Sequence, residues 1–193
     1  MEEVYHQDQT FEKIDFLHFP INKGEYENCR FTDCNFENGD LTGFRFTDCE
    51  FIGCNISMAK LVQTAFREVR FKECKMLGLS FSDCHDFGVS FSFYDCTLNN
   101  SVFYKTSLKK TVFKDSRLKD VDFGECDLSA AVFSHCDLSG AIFENTNLEK
   151  ADFRTSFHYS IDPGLNKIKK AKFSLSEVSG LLDKLDIIID KNS

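Results

Sequence analysis

Nine cysteines and five histidines are the side chains of this chain with the widest chemical options. They could serve as thiolate nucleophiles, disulfides, metal ligands or general bases. Two adjacent pairs, His85–Asp86 and His135–Cys136, come nearest to a base beside an orienter or a nucleophile. Neighbouring residues of an extended chain point to opposite sides, so neither pair builds a dyad. No phosphate loop or catalytic signature appears. Cys29, Cys34, Cys49, Cys54 and Cys74 are separated by multiples of five, not by the short gaps of paired metal ligands, and no histidine joins them at a ligand spacing. The chain is therefore read as non-enzymatic, with no cofactor and no metal. Its cysteines are read as buried packing residues that behave as small hydrophobes.

What places the cysteines is a five-residue beat of bulky apolar residues. It runs Phe11, Phe16, Ile21, Tyr26, Phe31, Phe36, Leu41, Phe46, Phe51, Ile56, Leu61, Phe66, Phe71, Met76, Phe81. A second run alternates Leu98, Phe103, Leu108, Phe113, Leu118, Phe123, Leu128, Phe133, Leu138, Phe143, Leu148, Phe153. Five is neither the helical nor the strand period. Two positions before each centre the residue is mostly small, as at Cys29, Cys34, Cys49, Cys54, Ala59, Cys126, Ala131, Cys136 and Ala141. Eight of the nine cysteines lie there, and Cys84 joins them if the first register persists. Just before the centre stands Asp or Asn at Asn35, Asp40, Asn55, Asp122, Asp127, Asp137, Asn147 and Asp152; such side chains bond nearby backbone N–H groups and favour tight turns.

The Leu/Phe alternation requires an even number of five-residue units per coil. Two units would be too tight to enclose Phe, so four are expected, giving a square coil of 20 residues. At that spacing Phe31, Phe51 and Phe71, then Phe113, Phe133 and Phe153, form the structural core. Stacked coils about 4.8 Å apart make a rod of roughly eight coils, ~40 Å long. The expected fold is an all-β solenoid, a right-handed quadrilateral β-helix over residues 1–173. The two runs are out of step by two residues, with the break near 84–97 inside "SFSDCHDFGVSFSFYDCTL". Either Asp86 is a centre and two residues are inserted after Phe91, or Phe87 and Phe93 are centres after two single insertions.

Residues 174–193 change period. Ser174 and Glu177 fit a capping box, and Leu175, Val178, Leu181, Leu182 and Leu185 form one helical face. Ile187, Ile188 and Ile189 are a β-prone run. A C-terminal α-helix and short strand are expected, capping the rod and joining two copies in a homodimer.

The net charge of −8 is unevenly spread. Residues 51–119 are basic, with Lys105, Lys109, Lys110, Lys114, Arg117 and Lys119 close together. Residues 120–152 carry Asp120, Asp122, Glu125, Asp127, Asp137, Glu144, Glu149 and Asp152 against a single base, Lys150. The start lacks an apolar signal-peptide core, and no apolar run reaches the length of a membrane span. A cytoplasmic protein without membrane contact is expected.

Units such as "CDLSG", "CNFEN" and "ADFRT" resemble those of the pentapeptide-repeat family, from Phe11 to about Phe173. More narrowly the chain resembles Qnr-type quinolone-resistance proteins in size, acidic start, interrupted coils and the closing "LLDKLDIIID". That resemblance implies a dimeric, DNA-like rod that binds DNA gyrase or topoisomerase IV and protects it from quinolones, with no direct nucleic-acid binding. The eight acids of 120–152 are then the expected topoisomerase-binding residues. The competing reading is a protein-binding scaffold with no topoisomerase role.

Overall fold

The structure is a computed structural model that describes residues 4–85, 88–185 and 187–190. Its strands are all parallel and pair across coils, not along the chain. One sheet stacks β1 (Val4–Gln7), β3 (Gly24–Glu27), β5 (Arg45–Thr47) and β7 (Ala65–Arg67). A second stacks β2 (Thr10–Glu12), β4 (Arg30–Thr32), β6 (Glu50–Ile52), β8 (Val69–Lys72), β9 (Phe91–Tyr94), β10 (Val112–Lys114) and β11 (Val132–Ser134). Isolated bridges at the expected 20-residue step build the other two sides, as Asn35–Asn55 and Asp122–Ile142 show. The four sides are called here face 1 (centres Tyr26 to Ile168), face 2 (Phe11 to Phe173), face 3 (Phe16 to Leu138) and face 4 (Ile21 to Phe143).

The described centres from Tyr26 to Phe153 point inward, and the Phe centres of faces 2 and 4 stack on their counterparts in the next coil. On face 2 the rings of Phe31 and Phe51 lie 4.7 Å apart and 11° from parallel. Phe51 stacks on Phe71, Phe113 on Phe133, and Phe133 on Phe153 at 4.6 Å. Phe103, Phe123 and Phe143 form the opposite stack on face 4, and Phe113 meets Phe123 edge-on at 5.8 Å and 79°. Parallel-displaced stacking along the axis and edge-to-face contact across it are the two geometries aromatic quadrupoles favour.

The register break has one location. Thr64 still accepts the N–H of His85 in the original step, whereas Val69 pairs with Phe91 and Phe71 with Phe93, two residues further on. The insertion therefore lies between His85 and Phe91, on face 1. Phe93 is a centre, as the second alternative requires. Phe91 is not a centre: it fills the usually small position and is buried there. Asp86 and Phe87 lie outside the described residues.

The tail departs from the expected α-helix. Val178–Leu181 and Asp183–Leu185 are 3-10 turns, and Ile187, Ile188 and Ile189 form no strand. Gly180 is the reason. Its backbone is pressed against the last coil, where a Cβ would lie 2.1 Å from the Tyr159 carbonyl. Its own carbonyl accepts the Ile161 N–H at 2.8 Å, which an α-helix would reserve for Lys184. Half of the capping box forms, since Ser174 Oγ accepts the Glu177 N–H, but the Glu177 carboxylate accepts the His158 N–H instead.

Most described corners turn through a left-handed residue two after the centre. Asp33, Gln63, Lys110, Ala130 and Lys150 all have φ between 51° and 62°. Glycine already fills the equivalent corner at Gly43, Gly53, Gly78 and Gly140. Ala130 adopts φ 57° with no side chain to bond locally, which costs a non-glycine residue about 1–2 kcal/mol. Ala130→Gly is expected to stabilise the protein by about 0.5–1 kcal/mol after the unfolded-state entropy of glycine is subtracted. That corresponds to about 2–4 °C in Tm for each 1 kcal/mol at this size, and calorimetry would read it.

Candidate functional site: the charged faces of the rod

The thiols face inward. All nine cysteines are free and buried. Cys34, Cys54 and Cys74 stand above one another, and each Sγ donates to a carbonyl of the coil below, those of Phe11, Phe31 and Phe51. Thr64, Thr146 and Ser156 make the same bond with a hydroxyl. Burial pushes the thiols of Cys49, Cys84, Cys126 and Cys136 up to about 12. The neighbouring Cys54 and Cys96 thiols, then burial, push Cys74 up as well. These are poor conditions for a thiolate. His135 sits on the outer corner against Asp115 while Cys136 points to the core. Among the described residues no three potential metal ligands come together.

The surface carries the remaining chemistry. The five-residue step sends the eight acids of 120–152 around all four faces. Asp122 lies on face 4, Asp127 on face 1, Asp137 on face 3 and Asp152 on face 2, each in its axial ladder. These four are half-buried and accept the backbone N–H two residues on, at Gly124, Ser129, Ser139 and Arg154. Their first duty is the turn. Burial pushes the Asp137 carboxyl up, but hydrogen bonds from Ser139 and His158 outweigh it and hold it below the usual range. Ser129 and Lys109 likewise outweigh burial at Asp127. The Arg154 side chain does so at Asp152, and Lys172 approaches that carboxylate at 3.6 Å. Glu125 is lowered by the Tyr104 hydroxyl and carries Lys105 at 3.5 Å. Asp120, Glu125 and Glu144 are exposed and Glu149 is half-buried. Asp122, Glu125 and Glu144 are the largest grouping, on face 4 and its corner.

At the end of the rod the apolar residues of the tail are uncovered. Leu175 is 90% exposed and Ile188 99%, and Leu185, Ile187, Ile189 and Val178 are exposed too. Leu181 alone of the expected helical face packs against the core, and Leu182 is half-buried. Among the described residues no helix is long and apolar enough to cross a membrane.

A family model for a pentapeptide repeat region matches residues 24–92 and 89–153. The chain belongs to the pentapeptide-repeat family. Among solved structures of that fold, a trypsin-treated variant of QnrB1, a plasmid-mediated fluoroquinolone resistance protein, superposes with a TM-score of 0.63 and 19% identity, over 97% of this chain and 100% of QnrB1. HetL, a pentapeptide-repeat protein involved in heterocyst differentiation regulation in Nostoc sp. strain PCC 7120, superposes at 0.50 with 14% identity, over 90% and 87%. At these identities the likeness is one of fold. No curated protein sequence matches the chain.

Two features of the pentapeptide surface escape a reading by composition. Acids grouped in sequence are dispersed in space, and lysines far apart in sequence are gathered. The signal was available in the 20-residue step, applied to charges as well as to rings. The turn role of Asp137 is testable. Its lowered carboxyl contributes stability that is present above the ordinary aspartate range and is lost as pH falls through the folded value. Asp137→Ala should cost about 1–2 kcal/mol at pH 7, Asp137→Asn much less because asparagine makes the same turn. The Ala deficit should be smaller in acid, below the ordinary aspartate range, than at pH 7. Urea melts at both pH values measure it.

Proposed function

We propose that this protein is a non-enzymatic binding rod that engages DNA gyrase or topoisomerase IV in place of DNA and protects it from quinolones. The observation that supports this most is the match to QnrB1 over 97% of this chain and 100% of the matched chain, on a rod whose face 4 carries Asp122, Glu125 and Glu144 beside Asp120 on the neighbouring corner. Acidic columns on a rigid rod offer a basic DNA-binding channel a charge partner. Asp122, like Asp127, Asp137, Glu149 and Asp152 of the same proposed set, is half-buried, so Asp120, Glu125 and Glu144 are the acids most open to a partner. The second reading, a protein-binding scaffold for another partner, draws on HetL, which has the same fold and is involved in heterocyst differentiation regulation.

Gyrase supercoiling in the presence of ciprofloxacin tests the first reading. Recovery of supercoiling with added protein is expected, with at least about fivefold more protein needed after Asp120→Asn, Glu125→Gln and Glu144→Gln together, roughly 1 kcal/mol. Absence of any rescue of either topoisomerase leaves the scaffold reading.

The uncovered tail supports a homodimer through Leu175, Val178, Leu181, Leu182, Leu185, Ile187, Ile188 and Ile189. An isologous contact would cover apolar side chains that otherwise stand in water. Sedimentation should give a dimer for the native protein and a monomer for Leu175→Lys with Ile188→Lys. A monomeric native protein refutes the dimer without touching the fold.

A further inference from the structure

The basic residues that the fold gathers are on face 1. Four successive coils there have centres Leu108, Leu128, Leu148 and Ile168, joined by bonds from the Leu108, Leu128 and Leu148 N–H groups to the Asp127, Asn147 and Lys167 carbonyls. The outer side of these coils presents Lys109, Lys110, Lys150, Lys167, Lys169 and Lys170, all exposed. Lys110, Lys150 and Lys170 share one corner column, with φ 60°, 62° and 61°. Lys109 pairs with Asp127 at 3.3 Å; the other five enter no ion pair among the described residues. Only two carboxylates, Asp127 and Glu149, stand on this stretch of face 1, and both are half-buried.

We infer that this stretch of face 1 binds the phosphate backbone of double-stranded nucleic acid. The lysines recur one or two rungs apart, about 4.8 or 10 Å along the axis, while a nucleic-acid strand presents a phosphate every ~3.4 Å. Neighbouring lysines thus reach phosphates one to three steps apart. Ser107 and Asn147 lie between them and can donate to phosphate oxygens. No large apolar side chain is exposed on this stretch, so it lacks the inserting residues that hold a protein at a lipid surface. The footprint is short, about 15 Å over four rungs. Beyond the insertion the same face carries Glu25, Glu27, Asp48 and Glu68 against Arg45 and Arg67, a net negative stretch that repels phosphate. Binding is therefore sequence-independent, weak and steeply salt-dependent. The expectation of no direct nucleic-acid binding, implied by the Qnr resemblance, treats the rod as acidic throughout, whereas the net charge of −8 averages over faces of opposite sign. This inference does not depend on the topoisomerase reading.

Fluorescence anisotropy of the full chain with a labelled 24-base-pair DNA duplex tests it. Micromolar affinity is expected near 50 mM salt, with log K falling with log salt at a slope of about −4 for four to five phosphates. Lys150→Glu, Lys167→Glu and Lys170→Glu together should weaken binding at least about tenfold and reduce that slope by about 3. A control of equal charge change, Lys105→Glu, Arg117→Glu and Lys119→Glu, lies on the other faces and should weaken it less than about threefold. Equal losses in the two triples overturn the assignment, as does no binding by about 100 μM. Salt-sensitive self-association that the face 1 triple abolishes, without DNA binding, would place a second copy there instead and also overturn it. Binding to phosphatidylserine vesicles with none to the duplex has the same meaning. Unchanged melting temperatures of both triples confirm that the comparison is between folded proteins.

Discussion

The axial backbone ladder is the constraint on which everything else in this rod depends. Each coil donates to the one before it through bonds such as Lys75 N–H to Cys54 O at 2.9 Å, and this fixes residue n above residue n−20. A side chain therefore meets its own equivalents before anything else. Phenylalanine lies on phenylalanine, thiol on thiol, and the solid core follows without long-range packing choices. The same constraint replaces the helical i,i+4 rule on the surface. Arg30 with Glu50, Glu50 with Arg70, Arg45 with Glu25 and Lys105 with Glu125 are all ion pairs 20 residues apart. Each is exposed and individually weak. Together they relieve the repulsion that stacking like charges would create.

The core was legible because inward positions admit few residue types. Phe31, Phe113 and Cys54 could be placed by type and spacing alone, and so could the turn-forming Asp137, because Asx chemistry is specific. The corners were not legible. Lys110, Gln63 and Glu68 adopt left-handed φ although nothing in their types asks for it, since the ladder imposes the corner and their side chains merely tolerate it. The tail misled for the opposite reason. Its capping residues and leucine spacing favour a helix locally, and contact of Gly180 with the last coil overrides them. The insertion could be bounded but not placed, because Phe91 and Phe93 are both apolar and only pairing with Val69 and Phe71 separates them.

Charge is where sequence order and space diverge most. A block of acids such as 120–152 is a block only along the chain. One step of five moves to the next face, so Asp122, Asp127, Asp137 and Asp152 end on four different sides. Half of the eight are also held by their own turns. A surface of one sign needs charges at a step of 20, and face 1 has it between Lys150 and Lys170. The electrostatic character of a pentapeptide rod is thus written in columns.

The insertion between His85 and Phe91 gains meaning from this. It leaves the columns beyond it in register, since Phe81 stacks on Phe103 at 4.4 Å and Phe71 on Phe93 at 5.4 Å. The core therefore passes through it undisturbed. On the surface it falls on face 1, between coils bearing Glu25, Glu27, Asp48 and Glu68 and coils bearing Lys109, Lys110, Lys150, Lys167, Lys169 and Lys170. One face of one rigid body thus changes sign across a two-residue irregularity. Each half can attract a partner that the other repels, and because the coils between them are a continuous stack, the two are held at a fixed separation.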